Sequence, residues 1–176
     1  MSTITRGWIA FAAIGTGLIH LAMVVGSPLP FGIALVVIGS AELVWGVCAM
    51  ARTRLPLPRV AFAGALVPVL LWALVLSAAV VLGTPSIAAP LQFFPLAIAT
   101  VFELFVAAVI GAHLRRSIET LPAPGAGKYL LGLLVGSLVV AALTTPALAA
   151  TASGAVAVPH GEHTGNLFGD EHGGHH

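Results

Sequence analysis

The sequence predicts an all-α protein, a polytopic transmembrane bundle of five helices followed by a polar tail, and three observations predict it. Of 176 residues, 59% are hydrophobic and 7% charged, with a mean hydropathy of +1.07. Such a chain cannot furnish the charged surface that a soluble domain of this size needs. Five apolar stretches are each long enough to cross a hydrocarbon core at 1.5 Å per helical residue. The basic residues, finally, gather in alternate connections.

Span one is placed at 8–25, with Trp8 suited to the membrane interface. A secretory signal peptide is the rival reading, since Arg6 precedes an apolar run, but His20 interrupts that run and no convincing cleavage site follows. The turn GSPLP leads into span two at 31–50, which carries Glu42 and is followed by the stiff, basic connection ARTRLPLPR. Span three, 60–82, contains Pro68 and is expected to kink there. GTPSIAAP forms the next turn. Span four, 91–112, carries Glu103, and the basic LRRSIETLPAPGAGK connects it to span five, 129–147. The bundle thus occupies 1–148 and the tail 149–176.

With the N-terminus in the cytoplasm, Arg6, Arg52, Arg54, Arg59, Arg115, Arg116 and Lys128 all fall on the cytoplasmic side, as the positive-inside rule requires of five spans. The C-terminal tail is then extracytoplasmic. A bias to Arg over Lys amid Ala, Gly, Val and Leu reads as a GC-rich bacterial genome, which places the protein in a bacterial cytoplasmic membrane. The lipid bilayer is the first partner, and a homo-oligomer or a larger membrane complex the second. Nothing in this charge pattern forms a patch for nucleic acid.

Glu42 and Glu103 stand 61 residues apart, as do Arg54 and Arg115. This spacing suggests a two-fold repeat of a helix hairpin, spans one and two against three and four. The competing explanation is that membrane helices built from Ala, Leu and Val all look alike.

A carboxylate at helix centre costs about 2.5–3.5 kcal/mol on insertion scales, so each glutamate is expected to face the bundle interior. Glu42 shares a face with Gly39 and Gly46, and Glu103 with Ala99, Thr100, Ala107 and Gly111. Small residues let another helix come close. His20, on a face with Ala13, Thr16 and Gly17, lies at similar depth and is expected to meet both carboxylates. One imidazole and two carboxylates suit a divalent cation or a proton relay. Met23 would add a soft ligand favouring copper. The plainer reading is that His20, Glu42 and Glu103 are polar glue between helices. Gly132 and Gly136 give span five a GxxxG packing face. Trp45 and Trp72 read as core packing.

The tail PHGEHTGNLFGDEHGGHH has no run that could build a core. His160, His163, His172, His175 and His176 are spaced for chelation by a flexible chain and, without Cys or Met beside them, suit a divalent metal, Zn, Ni or Cu. Their alternative is a solvated tail with no specific ligand. Ala147-Leu148-Ala149 matches a signal-peptidase pattern, although exit of the helix through small residues is preferred. The single Cys48 excludes an intrachain disulfide and a cysteine metal cage.

GLIHLA in the first span, the glutamates of later spans and the TTPALAA exit into PHGEH resemble small bacterial polytopic membrane proteins with intramembrane His and Glu and a His-rich C-terminal tail. That resemblance implies topology and no mechanism, because the family has no settled activity. Catalysis lacks its usual parts: no nucleophile stands beside a base, and there is no HExxH. The expected function is therefore non-enzymatic, metal-ion capture or ion and proton handling at the intramembrane His/Glu site. An accessory subunit packing against a larger membrane complex is the alternative.

Overall fold

The computed structural model describes residues 1–88, 91–115 and 125–157. It is all-helical over them: α1 (Thr3–Ala22), α2 (Leu29–Ala51), α3 (Pro58–Val81), α4 (Phe93–Arg115), α5 (Ala126–Ala149) and the short α6 (Ala152–Ala155), with one 3₁₀ turn at Pro85–Ile87. The first five are each long and apolar enough to cross a membrane. α2 and α5 reach beyond both ends of their sequence-inferred spans, whereas α1, α3 and α4 are displaced by one to five residues, α1 starting at Thr3 and stopping at Ala22. The Ser2 side chain accepts the Thr5 N–H at 3.1 Å, which starts α1 at Thr3. Gly26, at φ 82°, supplies the left-handed residue that turns the chain towards α2.

Prolines punctuate rather than break the helices. α2 and α3 each have a proline in the opening positions, where its missing N–H costs no helical bond. Pro68 lies inside α3, and the helix continues through it to Val81. Leu57, just before α3, is the one non-glycine residue described with positive φ, at 43°.

The bundle is organised around α1, which is buried along its length from Gly7 to His20 and packs against α2, α4 and α5. Its counterpart in the second hairpin, α3, packs mainly on α4 and scarcely touches α2. The hairpin plan is thus repeated while the packing is not. The offset that aligns the glutamates sets Val81, 82% exposed, opposite the fully buried His20. Only the first hairpin carries an imidazole at this position, the histidine of the second being His113 near the end of α4.

Small residues explain the central place of α1. A Cβ added at Gly46 would lie 2.9 Å from the Ala10 carbonyl oxygen, and one at Gly39 2.9 Å from that of Gly17, so α1 and α2 meet backbone to backbone over two turns. On another side, Gly132 and Gly136 receive Ile4 and Trp8 of α1. The Trp8 indole N–H donates to the Gly132 carbonyl at 2.8 Å, so this tryptophan serves a helix contact as well as the bundle end. Outward faces carry exposed leucines such as Leu70, Leu74, Leu131 and Leu138, as lipid contact demands.

The described basic residues share one end of the bundle, since α1, α3 and α5 begin there and α2 and α4 end there. Arg6 donates to the Thr53 carbonyl, tying the start of α1 to the loop after α2. At the other end, Ser153 donates to the Ala22 carbonyl at 2.6 Å and the Ala152 N–H to Gln92 at 3.3 Å. Residues Ala152 and Ser153, the first two of α6, therefore return to the bundle. Ala147 of the Ala147-Leu148-Ala149 pattern is fully buried in the last turn of α5. Arg116 and all five tail histidines lie outside the described residues.

Candidate functional site

Three helices deliver one ionisable side chain each to the same interior point. His20 comes from the last turn of α1, Glu42 from the middle of α2 and Glu103 from the middle of α4. One ligand atom from each lies within 4.8 Å of the others. His20 Nδ1 is 2.8 Å from Glu42 Oε2, a hydrogen bond, while His20 Nε2 is 3.6 Å from Glu103 Oε1, too long for one. The two carboxylates therefore address opposite nitrogens of one ring.

Burial grades the three. His20 is fully buried, Glu103 is 2% exposed, and the Glu42 side chain is 14% exposed. Glu42 has a donor in His20. Both Glu103 oxygens and His20 Nε2 have no hydrogen-bond partner among the described residues. An unpaired buried carboxylate is costly, and Glu103 faces the unpaired ring nitrogen across 3.6 Å. His20 and Glu42 are thus hydrogen-bonded across the α1–α2 interface, as polar glue would have them, whereas no hydrogen bond joins His20 to Glu103.

Donor and acceptor in the Nδ1–Oε2 contact follow from the imidazole tautomer. If Glu42 is ionised, it accepts the Nδ1–H, leaving the Nε2 lone pair directed to Glu103. A carboxylate behind an imidazole in this manner orients the ring and raises its basicity.

A cavity of about 340 Å³ opens between α2 and α3, with both glutamates among its lining residues. Its walls are otherwise apolar or small, including Ala41, Trp45, Ala61, Gly64 and Pro68. The cavity exists because α2 and α3 scarcely touch. Trp45 is held at its edge by an N–H bond to the Pro56 carbonyl, 2.9 Å.

The four glycines singled out for packing, Gly39, Gly46, Gly132 and Gly136, all serve contacts with α1. Met23, the expected soft ligand, is packed into the hydrophobic core. Sequence reasoning missed the part of Trp72, which is buried with its ring centroid 6.4 Å from that of His20. A tryptophan in mid-span carries no sign in the sequence of which polar group it will cover. The cavity was equally invisible, because it depends on two consecutive spans standing apart.

Compared with known proteins, the chain matches no family model, no curated sequence and no solved structure. Fold and geometry thus define its class: a protein of five membrane-capable helices with a buried His/Glu/Glu cluster.

Proposed function

We propose that this is a non-catalytic integral membrane protein that handles a small cation, a proton or a divalent metal ion, at His20, Glu42 and Glu103. The observation that carries the reading is the Glu103 carboxylate, buried without a donor and 3.6 Å from the free nitrogen of an imidazole that Glu42 holds from behind. A proton could pass from Glu103 to Nε2 while Nδ1 releases one to Glu42. A metal ion could lie between Nε2 and Glu103, since two ligand bonds of roughly 2.0–2.2 Å span such a gap, with Glu42 orienting the ring. The shared basic end supports an orientation with that end in the cytoplasm of a bacterial cell and the tail outside. The tail histidines would capture divalent metal there.

The test uses protein purified without an affinity tag, in full length and truncated after Ala157, so that tail and bundle are read separately. Metal content is measured after equilibration with Zn(II), Ni(II) or Cu(II), and carboxylate protonation by infrared difference spectra across pH. Glu103→Gln is expected to abolish the bundle response in whichever arm shows it. No retained metal in the truncated protein, together with no carboxylate band that titrates and is lost in Glu103→Gln, would sink the reading.

A further inference from the structure

The cavity reaches the glutamates from an unusual direction. Three of its lining residues, Val37, Val60 and Val67, are 63%, 64% and 48% exposed, so its mouth lies on the outer apolar surface of the bundle. Val37 and Val67 stand in the middle thirds of α2 and α3. In a membrane that mouth meets acyl chains, and a hydrated ion does not enter through an apolar wall from hydrocarbon. A lipid-soluble molecule does.

What such a molecule would carry is set by the inner end. Glu103, 2% exposed and with both oxygens unpartnered among the described residues, lines the cavity beside Glu42. Among the described residues, no lysine or arginine lines it. Trp45 adds an aromatic ring, anchored by its bond to Pro56. Carboxylates with an aromatic ring are the chemistry that recognises an organic ammonium head. The volume, about 340 Å³, is over twice that of an engineered apolar cavity of roughly 150 Å³ that accepts benzene. It therefore has room for an alkyl or aryl body as well as the head.

We propose that the cavity between α2 and α3 is a binding site for a lipid-soluble organic ammonium ion, entering from the bilayer and placing its head at Glu103 and Glu42. This rests on the reading of the cluster as a cation centre and names a substrate class for it. An ammonium head offers three donors, enough for the two Glu103 oxygens and Glu42. Its apolar body lies along Ala61 and Gly64. A neutral chain of equal length gains the same burial and leaves the carboxylates unpaired, so charge decides affinity.

The probe is n-octylammonium, with n-octanol as its uncharged counterpart, titrated calorimetrically into the full-length protein in neutral maltoside micelles. Octylammonium is expected to bind saturably and at least about tenfold more tightly than octanol, a difference of about 1.4 kcal/mol. Gly64→Leu narrows the cavity, because Gly64 lines it and a Cβ there meets no atom within 4 Å. It is expected to weaken octylammonium at least about tenfold. Glu103→Gln is expected to weaken binding to the level of octanol. Equal affinity for amine and alcohol would overturn the proposal and leave an acyl-chain groove. So would octylammonium binding that survives Gly64→Leu or Glu103→Gln. If those arms fail while the small-cation responses persist, only this inference is lost. If the small-cation responses are absent and octylammonium behaves as described, the centre serves an organic cation and the earlier reading falls.

Discussion

Gly17 of α1 and Gly39 of α2 touch backbone to backbone: a Cβ at Gly17 would lie 2.7 Å from the Gly39 carbonyl oxygen, and one at Gly39 2.9 Å from that of Gly17. His20 and Glu42 each stand three residues further along their helices, on antiparallel chains that carry them to opposite sides of this crossing. Helical side chains lean towards their own N-terminus. Both therefore lean back to the crossing and meet there at 2.8 Å. The site is built on two missing side chains.

Gly39→Leu should accordingly push α1 and α2 apart, break the bond between His20 and Glu42, and cost about 1–3 kcal/mol or more, the usual range for overpacking. Gly17→Ala should do the same more mildly. Gly32→Ala, whose added Cβ would meet only Val24 Cγ1 at 3.8 Å, is the tolerated comparison. Thermal unfolding in detergent ranks the three, and equal stability of all would contradict the close crossing.

A second close contact joins α1 to α5. Trp8→Phe removes the 2.8 Å bond to the Gly132 carbonyl and should lower stability by about 0.5–1.5 kcal/mol. Gly136→Ala should also destabilise, since its Cβ would lie 2.8 Å from the Trp8 indole nitrogen. Combined, the two changes should cost less than their sum, because the smaller phenyl ring relieves the clash. Strict additivity in the double-mutant cycle would show that ring and glycine do not touch in solution.

The helices were legible in the sequence because length and hydropathy alone determine them. Pairing His20 with Glu42 and Glu103 was legible for a different reason: three costly residues at one depth, each with small neighbours, have few places to go. The central position of α1 was not. Its glycines and alanines point to several partners at once, whereas the repeat of glutamate and arginine drew attention to α2 and α4. Trp72 over His20 and the gap between α2 and α3 depend on how far apart two helices settle, which no local pattern encodes.

The left-handed Leu57 offers a local test. Its φ of 43° brings the Cβ into conflict with its own backbone, at about 1–2 kcal/mol for a residue with a side chain. Leu57→Gly relieves that strain and gives back part of it as chain entropy, roughly 0.5–1 kcal/mol. A small net gain in unfolding temperature is expected. A loss would mean that the exposed leucine side chain contributes more by contact than it costs in backbone strain.

Orientation can be read chemically. In a Cys48→Ala background, Arg54→Cys should react with a membrane-impermeant maleimide only after cells are opened, and Ser86→Cys in intact cells. The reverse pattern would place the basic end outside and overturn the assignment made from the arginines.

The two glutamates should respond in opposite directions to replacement by methionine, and this separates a functional centre from polar glue. Glu42→Met removes the acceptor of His20 Nδ1 and leaves a fully buried donor unpaired, so it should destabilise by about 1–3 kcal/mol. Glu103→Met removes a buried carboxylate that has no hydrogen-bond donor among the described residues and replaces it with an apolar chain of similar length. The 3.6 Å approach to His20 is lost but no hydrogen bond to it, and the cost of burying the group disappears, so stability should rise by about 1 kcal/mol or more. On the proposed reading, the stability given up at Glu103 is the cost of a binding group held at the core. Glue predicts otherwise, because a glutamate retained to fasten α4 to α1 cannot be removed without loss. Unfolding of both variants in the same neutral detergent decides between them, and a clear drop for Glu103→Met would return the cluster to a purely structural role.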